Sequence, residues 1–331
     1  MSRIAIVGAT GVVGREVIAC IERRKFLAGE VVLYASPRSE GKVQHVNGKP
    51  CRLIGLVPER VGKFDVAFFS AGAGVSKQFA PLFAREGAVV VDHSSAWHMD
   101  PATPLVVPEV NPQDIAKHKG IIASPGCAAI QLVVALKPLH DAARVLRVVV
   151  STYQAVSGAG GRALEEFENE VHAHVLNTQM PKRSIFSRPI AFNALAQIPQ
   201  KDAFLPNGTT HEENNLIVET RKILGDPAIR ISPTCVRVPV RNGHSESVNV
   251  ETEKKLTAAE AVALLRKAPG VAVCEKPEDF PTPLEVSGRD EVFVGRIRED
   301  ANGLHLWVVA DNLRKGAALN MVQIAELLVG K

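Results

Sequence analysis

One cysteine in this sequence lies where a chain can place a nucleophile. The segment IIASPGCAAIQLVVALKPL, residues 121–139, predicts a short apolar strand, a Ser-Pro-Gly turn and a helix that begins at Cys127. Unpaired backbone N–H groups and the positive end of the dipole at a helix N-terminus favour a thiolate, which adds to carbonyl carbons. Taken alone, the segment fits a buried structural cysteine better, because free cysteines are commonly buried.

A glycine-rich stretch follows the first predicted strand. Residues 3–24, RIAIVGATGVVGREVIACIERR, read as a strand, then Gly8-x-x-Gly11-x-x-Gly14, then a helix with one apolar face. Glycines let the backbone approach a pyrophosphate, whose charge is met by the helix N-terminus. With a strand before it and a helix after it, the motif predicts the opening of a dinucleotide-binding unit, and the alternative is a tight turn without a ligand.

The end of the next strand bears on the choice of dinucleotide. Residues 30–35, EVVLYA, run into Ser36, Pro37, Arg38 and Ser39. Units that prefer NAD usually carry an acidic residue at this point to bond the ribose 2′-hydroxyl, and none is present in this loop. Arg38 between two serines suits a 2′-phosphate, so the sequence favours NADP. The alternative for Arg38 is a solvated loop cation.

Two further apolar segments predict central strands of a parallel sheet. Residues 65–70 and 88–92 are continuously apolar and end in SAGAG and DHSS. Ligands of such sheets lie beyond the C-terminal ends of the strands. We therefore expect these loops and the turn before Cys127 to line one crevice, and this convergence moves Cys127 ahead of its structural interpretation.

A thiolate beside a nicotinamide would oxidise an aldehyde or run the reverse reaction through a thioester. Such a site needs a general base, and His244 has the best sequence context of the ten histidines. It also needs a cation for any substrate carboxylate. Arg237 lies in CVRVPV, where it faces away from the alternating valines. A solvent-exposed histidine and a surface arginine remain equally open on this reasoning.

The second half of the chain has a different order of elements. Strands clustered between helices indicate an α+β catalytic domain with a mainly antiparallel sheet. Thr210-x-x-Glu213 and Thr257-x-x-Glu260 are capping boxes that predict helix starts. Residues 229–240 and 245–251 read as two strands joined as a hairpin through an Asn-Gly turn. The last helix is predicted over residues 315–329.

Composition excludes several classes of function. The 331 residues are 46% hydrophobic and 22% charged, and the net charge of +4 comes from scattered basic residues, so we expect no nucleic acid partner. No apolar run approaches the length of a membrane span, and no apolar leader precedes the first strand. The five cysteines form no C-x-x-C pair, which favours a reducing compartment. We therefore expect a cytoplasmic protein with no membrane partner and no metal.

Longer blocks of sequence carry a resemblance to a known family. They are GATGVVG at 8–14, SAGAGVSK at 70–77, VPEVN at 107–111, YQAVSGAG at 153–160, ETRKI at 219–223, PTCVRVPV and GHSE within 233–246, and DNLRKGAALN and VQIAE within 311–326. Together they resemble aspartate-β-semialdehyde dehydrogenases over essentially the whole chain. The resemblance implies NADP-dependent reductive dephosphorylation of β-aspartyl phosphate to aspartate semialdehyde, on the route to lysine, threonine and methionine.

The resemblance also implies a fold and an assembly. The fold is α/β, with an N-terminal NADP-binding Rossmann domain that the C-terminal helix completes, over residues 1–126 and 312–331. Residues 127–311 are expected to form an α+β catalytic and dimerisation domain with a mainly antiparallel sheet. The implied assembly is a homodimer or a dimer of dimers that acts on a small-molecule substrate.

Residue by residue, the resemblance assigns roles. Cys127 matches the nucleophile, Gln154 the residue that positions the acyl intermediate, and His244 the acid–base catalyst. Arg237 matches the clamp for the substrate carboxylate and Glu212 the acceptor of its amino group, although a place in a first helical turn gives Glu212 a structural alternative. The expected cofactor positions, from the loops above and from the resemblance, are Gly8, Thr10, Gly11, Val12, Val13, Ser36, Arg38, Ser39, Ser70, Ala71, Gly72, Ser157, Gly158 and Asn312.

The chain departs from the family where phosphate binds. Gly126 replaces the asparagine before the nucleophile, His98 replaces an arginine, and Asn215 replaces a lysine. One hypothesis is an active enzyme with weakened phosphate binding, or with binding rebuilt through His93 and His98. A second is a paralogue that uses another carboxylate-bearing acyl substrate, as an acyl-CoA reductase or a non-phosphorylating aldehyde dehydrogenase. A third is a non-catalytic NADP-binding relative, against which the retained reactive residues count.

Overall fold

The computed structural model describes residues 2–26 and 28–330. The chain divides into two compact units, Met1–Gly126 with Ala317–Lys331 (unit 1) and Cys127–Gly316 (unit 2). The domain limits given above remain a prediction. Met1, Leu27 and Lys331, which fall within the expected first domain, lie outside the described residues.

The elements are numbered along the chain. The strands are β1 Ser2–Val7, β2 Ala28–Ala35, β3 Val43–Val46, β4 Lys49–Arg52, β5 Ile54–Gly55, β6 Val66–Phe69, β7 Val89–Asp92, β8 Ile121–Ala123, β9 Val145–Gln154, β10 Arg230–Arg237, β11 His244–Thr252, β12 Val271–Val273, β13 Val292–Asp300 and β14 Gly303–Ala310. The α-helices are α1 Val12–Arg23, α2 Ala73–Arg85, α3 Cys127–Ala143, α4 Gly161–Val175, α5 His211–Leu224, α6 Ala258–Leu265, α7 Pro283–Val286 and α8 Leu319–Val329. None of the described helices is long and apolar enough to cross a membrane.

Unit 1 is built on a six-stranded sheet in the order β5-β2-β1-β6-β7-β8. Every neighbouring pair in it runs parallel, and β3 and β4 form a separate antiparallel hairpin. Alternate residues of β1 enter opposite cores: Ile4 and Ile6 pack with residues of α1 and α8, whereas Ala5 and Val7 pack with residues of α2. Burial on both faces explains the continuously apolar strands, and it confirms the Rossmann-like unit completed by the C-terminal helix.

Unit 2 is built on a six-stranded mixed sheet in the order β10-β9-β11-β14-β13-β12. The three central pairings are antiparallel, and the two edge strands β10 and β12 pair in parallel with their neighbours. The mainly antiparallel sheet is therefore confirmed. The capping boxes are confirmed as well, because Thr210 and Thr257 each exchange the two expected hydrogen bonds with Glu213 and Glu260.

The predicted hairpin of β10 and β11 is wrong. Strand β9 lies between them, parallel to β10 and antiparallel to β11. The segment that connects them crosses the end of β9 instead of closing a tight turn: the Val238 N–H donates to the Gln154 carbonyl at 3.0 Å and the Val156 N–H to the Val240 carbonyl at 2.8 Å. As a consequence, the ends of three adjacent strands present Gln154, Arg237 and His244 together.

The last helix also differs from its prediction. Residues Arg314–Ala318 form a π-helical turn, and the α-helix begins only at Leu319. Within this turn, Gly316 packs against the start of α3, since a Cβ added there would lie 2.9 Å from the Cβ of Cys127. A residue with a side chain at this position would push Cys127 aside.

Candidate active site

The backbone of Ala155 joins two of the predicted site residues. Its carbonyl accepts a hydrogen bond from Nη1 of Arg237 at 2.5 Å, and its N–H donates to Nδ1 of His244 at 3.0 Å. Gln154, Arg237 and His244 are 1%, 2% and 0% exposed. The structure therefore brings these three side chains together at one buried edge of the sheet in unit 2. The chemistry predicted His244 and Arg237 as site residues, and Gln154 came from the family resemblance.

Cys127 is the first residue of α3, in agreement with its predicted place at a helix N-terminus. Its thiol lies near enough to Glu212, Arg237 and Glu246 for each of them to act on its pKa. Burial and the Glu212 carboxylate raise the pKa of Cys127 to about 12, against the lowering by Arg237 and by the backbone N–H of Ala128. The expectation of a thiolate favoured at rest is thus wrong, because burial of the thiol outweighs the helix N-terminus.

His244 is neutral in the resting site. Burial and the neighbouring Arg237 guanidinium hold the pKa of His244 well below 6.5, in spite of the Gly243 backbone, which raises it. Because Nδ1 accepts from the Ala155 N–H, the proton of the neutral ring is assigned to Nε2. Nε2 is buried and has no hydrogen-bond partner among residues 2–26 and 28–330, so its N–H is available to a substrate oxygen.

Arg237 and Glu212 offer the two charges that an amino acid needs. Burial lowers the pKa of Arg237 and the Glu212 carboxylate raises it, and its Nε donor is buried without a partner in the described part of the chain. Glu212, in the first turn of α5, is only half-buried and accepts a hydrogen bond from Nε2 of Gln154 at 2.9 Å. This geometry suits a ligand that carries both a carboxylate and an ammonium group.

Three expected cofactor positions lie beside these residues in unit 2. Ser157 and Asn312 are buried and hydrogen-bonded to each other at 2.9 Å, and Asn312 also accepts the Gly243 N–H at 2.8 Å. A Cβ on Gly158 would meet Nη1 of Arg237 at 2.9 Å and Nε2 of His244 at 3.3 Å. Gly158 therefore leaves the space beside the side chains of Arg237 and His244 open.

The glycine loop of unit 1 has the shape that a dinucleotide needs. Gly8 has φ +90°, and a Cβ there would lie 2.8 Å from the carbonyl oxygen of Ser70. Gly11 caps α1, and no acidic residue occupies the first turn of that helix. Thr10, Val12, Val13 and Ala71 are half-buried around this loop, and Gly72, with φ +88°, caps α2. The loop thus fits the pyrophosphate of a dinucleotide, which needs close backbone approach and a helix N-terminus.

The loop after β2 exposes a cation. Ser36 precedes a 3₁₀ turn over Pro37–Ser39, in which the Ser39 N–H donates to the Ser36 carbonyl at 2.9 Å. Arg38 is exposed, and the nearest acid along the chain, Glu40, is paired with Nη1 of Arg60 at 2.5 Å. The local charge of this loop is therefore positive.

The three residues that replace the family's phosphate ligands have different surroundings. His98 is 5% exposed and acts on Asp92, whose pKa is raised by burial against the lowering by Ser76, Ser94 and His98. Gly126 is half-buried directly before Cys127, and Asn215 is half-buried one helical turn after Glu212. His98 in unit 1 is thus engaged with a buried carboxyl group.

Sequence reasoning missed several residues around the thiol. The Ala155 backbone carried no signal, because the peptide group is common to every residue. Gln131 and Glu246 are 0% exposed, and both act within the site in unit 2. The sequence did contain signals for both residues. Gln131 is a glutamine in an otherwise apolar stretch after Cys127, and Glu246 stands at the same alternate positions of β11 as the apolar residues that face the core.

Comparison with known proteins decides the family. Residues 136–315 match the family model described as semialdehyde dehydrogenase, dimerisation domain, and residues 3–118 match the one described as semialdehyde dehydrogenase, NAD binding domain. This chain belongs to the semialdehyde dehydrogenase family. Its enzymes are oxidoreductases, and a nicotinamide-binding domain and a dimerisation domain are thereby both present in the chain.

Alignments with aspartate-semialdehyde dehydrogenases cover almost the whole chain. An aspartate-semialdehyde dehydrogenase of Aquifex aeolicus is 56% identical over 99% of this chain and 98% of its own length, and aspartate-semialdehyde dehydrogenase 2 of Vibrio cholerae is 46% identical over 98% and 97%. A crystal structure of the Vibrio cholerae enzyme II complexed with ASA has a TM-score of 0.94 at 43% identity, covering 99% of this chain and 98% of that one. The enzyme of Candida albicans with NADP has a TM-score of 0.76 at 25% identity, over 99% and 98%.

The charge of Glu212 controls the resting thiol. Since its carboxylate raises the pKa of Cys127, Glu212→Gln will lower that pKa and speed alkylation of Cys127 by iodoacetamide at pH 8 by at least about threefold. In the unchanged protein, the rate will rise about tenfold per pH unit up to about pH 9, because the thiol stays largely protonated below its pKa.

The rate is measured by mass spectrometry of the peptide that carries Cys127. Glu165→Gln, the same change at an exposed position of α4, is the matched control. A rate that levels off below about pH 8 would show that burial does not control this thiol.

Proposed function

We propose that this protein is an NADP-dependent aspartate-semialdehyde dehydrogenase, which converts β-aspartyl phosphate to aspartate semialdehyde through a thioester on Cys127, and back. The observation that carries the proposal is the grouping of half-buried Cys127 with the buried side chains of Gln154, Arg237 and His244 in unit 2. The names of relatives that cover nearly the whole chain support the substrate.

Substrate binding follows from the two charges. The guanidinium of Arg237, with a buried N–H still to be satisfied, takes the carboxylate of the substrate. The carboxylate of Glu212 takes the ammonium group, and Gln154 holds that carboxylate in place by its hydrogen bond at 2.9 Å. A substrate held at both ends leaves its third functional group, the acyl carbon, directed to Cys127.

The resting thiol and imidazole are both uncharged, which sets the order of events. When the substrate carboxylate pairs with Arg237, Sγ of Cys127 adds to the acyl carbon, the bond from this carbon to the phosphate oxygen breaks, and the thiol proton leaves with the phosphate, so that a thioester remains. The Nε2–H of His244 is the donor available to the carbonyl oxygen as negative charge develops there. NADP supplies the hydride chemistry at this carbonyl, in either direction. His244 can accept a proton at Nε2 only when its bond with the Ala155 N–H is given up.

Phosphate is proposed as the leaving group in the reductive direction and as the acyl acceptor in the oxidative direction. We propose that it binds more weakly here than in relatives that have the usual phosphate-binding residues. Gly126 and Asn215 bring no charge to it, and His98 interacts electrostatically with Asp92. Each missing charge-assisted hydrogen bond removes roughly 1.5–3 kcal/mol. We therefore expect a high Michaelis constant for phosphate in the oxidative direction.

Turnover with defined acyl acceptors tests the reaction. With NADP and aspartate semialdehyde, NADPH formation will require phosphate or arsenate, and Cys127→Ser will abolish it, because an alcohol replaces the only nucleophile proposed. Absorbance of NADPH is the measurement, and Cys51→Ser in unit 1 is the matched control. Equal turnover without phosphate, or turnover only with coenzyme A, would contradict phosphate as the acyl acceptor. It would favour a paralogue that uses another acyl substrate.

NADP rather than NAD is proposed because the loop after β2 is positive. Arg38 is exposed there, and Glu40 is held by Arg60 at 2.5 Å. In the described part of the loop, Ser36 and Ser39 add hydroxyl groups that a 2′-phosphate can use.

Loss of the Arg38 charge tests the choice of cofactor. Arg38→Leu will raise the Michaelis constant for NADP about tenfold and leave that for NAD within about twofold, as expected for one lost charge-assisted contact. Initial rates against both cofactors are the measurement. Arg52→Leu, which removes another exposed cation of unit 1, should change neither constant. Parallel effects on both cofactors would contradict a 2′-phosphate contact.

A homodimer is proposed on the open face of the unit 2 sheet. Even-numbered residues of β9 from Val148 to Gln154 are buried, whereas Tyr153 on the other face is 38% exposed and its ring lies 5.7 Å from that of Trp307. Phe280, next to this face through Pro281, is 48% exposed. Residues 136–315 match a dimerisation domain, so a second copy of this chain is the occupant we propose.

Solution mass tests the assembly. The unchanged protein will sediment as a dimer or a dimer of dimers, and Tyr153→Asp will reduce the mass by half or more, because a buried charge opposes the contact. Val43→Asp, at a 53% exposed apolar position of unit 1, should leave the mass unchanged. A monomeric unchanged protein would contradict the proposal.

The cytoplasm is the proposed location, since no disulfide joins any of the five described cysteines.

A further inference from the structure

A second row of polar side chains lies directly behind the reactive one in unit 2. Thr152, Cys235 and Glu246 stand two residues inward from Gln154, Arg237 and His244 on the same three strands. The sheet register pairs Thr152 with both Cys235 and Glu246. All three are 0% exposed. A side chain two residues along a strand points to the same face, so this row shares the face of the site.

Glu246 is the unusual member of this row. Both of its carboxyl oxygens are buried, and neither has a hydrogen-bond partner of ordinary geometry within residues 2–26 and 28–330. The same holds for Oε1 of Gln131, which is also 0% exposed. Gln131 is the neutral side chain that approaches the carboxyl group closely enough to act on its pKa. Three buried polar atoms without partners thus belong to two adjacent side chains.

An uncharged Glu246 explains how these buried polar atoms are tolerated. A buried carboxylate without N–H donors is strongly unfavourable, whereas a carboxylic acid needs only one acceptor for its O–H. Oε1 of Gln131 is such an acceptor. Burial and the nearby Glu212 carboxylate raise the pKa of Glu246 well above 4.5, and they outweigh the amide of Gln131, whose N–H group lowers that pKa by favouring the carboxylate.

Gln131 links this pair to the nucleophile. It lies four residues after Cys127 in α3, and therefore one turn along the same helix face. Its Nε2 lies 3.5 Å from the carbonyl oxygen of His244. One amide side chain thus touches the strand that carries His244 and the carboxyl group behind it, from the helix that begins with Cys127.

We propose that Glu246 is a positioning residue, which as an uncharged acid donates its O–H to Gln131 and so holds the Cys127 helix against the His244 strand. The roles of Cys127 and His244 in this statement rest on the proposed function. The titratable groups that interact with Glu246 are Cys127 on α3, Glu212 on α5 and Cys235 on β10. Because Glu246 is uncharged, Glu212 is the acid that places negative charge beside the thiol.

The test compares Glu246→Gln, Glu246→Leu and Gln131→Met in the full-length protein. The amide of Glu246→Gln can still donate to Gln131, so its alkylation rate at Cys127 will follow that of the unchanged protein within about twofold from pH 6 to pH 9. Glu246→Leu and Gln131→Met lose the link and will lower both this rate and kcat by about tenfold or more, with the Michaelis constant for NADP unchanged. Glu165→Gln, the same change at an exposed position of α4, is the matched control.

Two readouts are independent of turnover. Infrared spectra will show the carbonyl band of a buried carboxylic acid at neutral pH, and this band will be missing in Glu246→Gln and present in Glu165→Gln. Thermal unfolding shows which variants are folded, and Gln131→Met tests the link even when Glu246→Leu does not fold. An alkylation profile of Glu246→Gln shifted to lower pH would show that Glu246 is ionised, and the proposal would fall. Equal alkylation rates in folded Gln131→Met and the unchanged protein would overturn it as well. A lack of turnover on aspartate semialdehyde would count against the proposed function only.

Discussion

The two hydrogen bonds of the Ala155 backbone hold the reactive part of unit 2 together. One fixes the guanidinium of Arg237 and the other fixes the ring and the tautomer of His244. Both depend on β9 running between β10 and β11, because only then does the end of β9 lie between the two side chains. The crossing segment, bonded to β9 through Val238 and Val240, makes this order possible. The chemistry of the site is thus a consequence of strand order.

Burial then decides the protonation states. A guanidinium enclosed at the sheet edge disfavours a second positive charge, and His244 accordingly remains neutral. Cys127 is half-buried, and the loss of solvation together with the Glu212 carboxylate keeps its thiol protonated. A site with a neutral nucleophile and a neutral imidazole is poorly reactive without a ligand. In the proposed reaction, a substrate that pairs its ammonium with Glu212 offsets the negative charge that opposes thiolate formation, which would couple binding to activation.

The sequence predicted those features that depend on local chemistry. Glycines at positions 8, 11 and 14 specify close backbone approach, and Thr210 with Glu213 specifies a helix start, whatever the rest of the chain does. Cys127 at a helix N-terminus was predicted for the same reason. The strand order of unit 2 was not, because Asn242-Gly243 reads locally as a hairpin turn and nothing local indicates that β9 intervenes. The pKa of Cys127 was missed since burial depends on the whole of unit 2.

The buried row behind the site separates two acids that look alike in the sequence. Glu212 is half-buried and receives an N–H from Gln154, so its charge is supported and is available to the substrate. Glu246 receives no such donor from the described residues, and its neighbour Gln131 offers an acceptor instead. Near a thiol that must become a thiolate, one carboxylate that the substrate neutralises is useful, and a second permanent one would oppose the reaction. In the two proposals, the same residue type therefore serves substrate binding on α5 and, in its uncharged form, the alignment of α3 with β11.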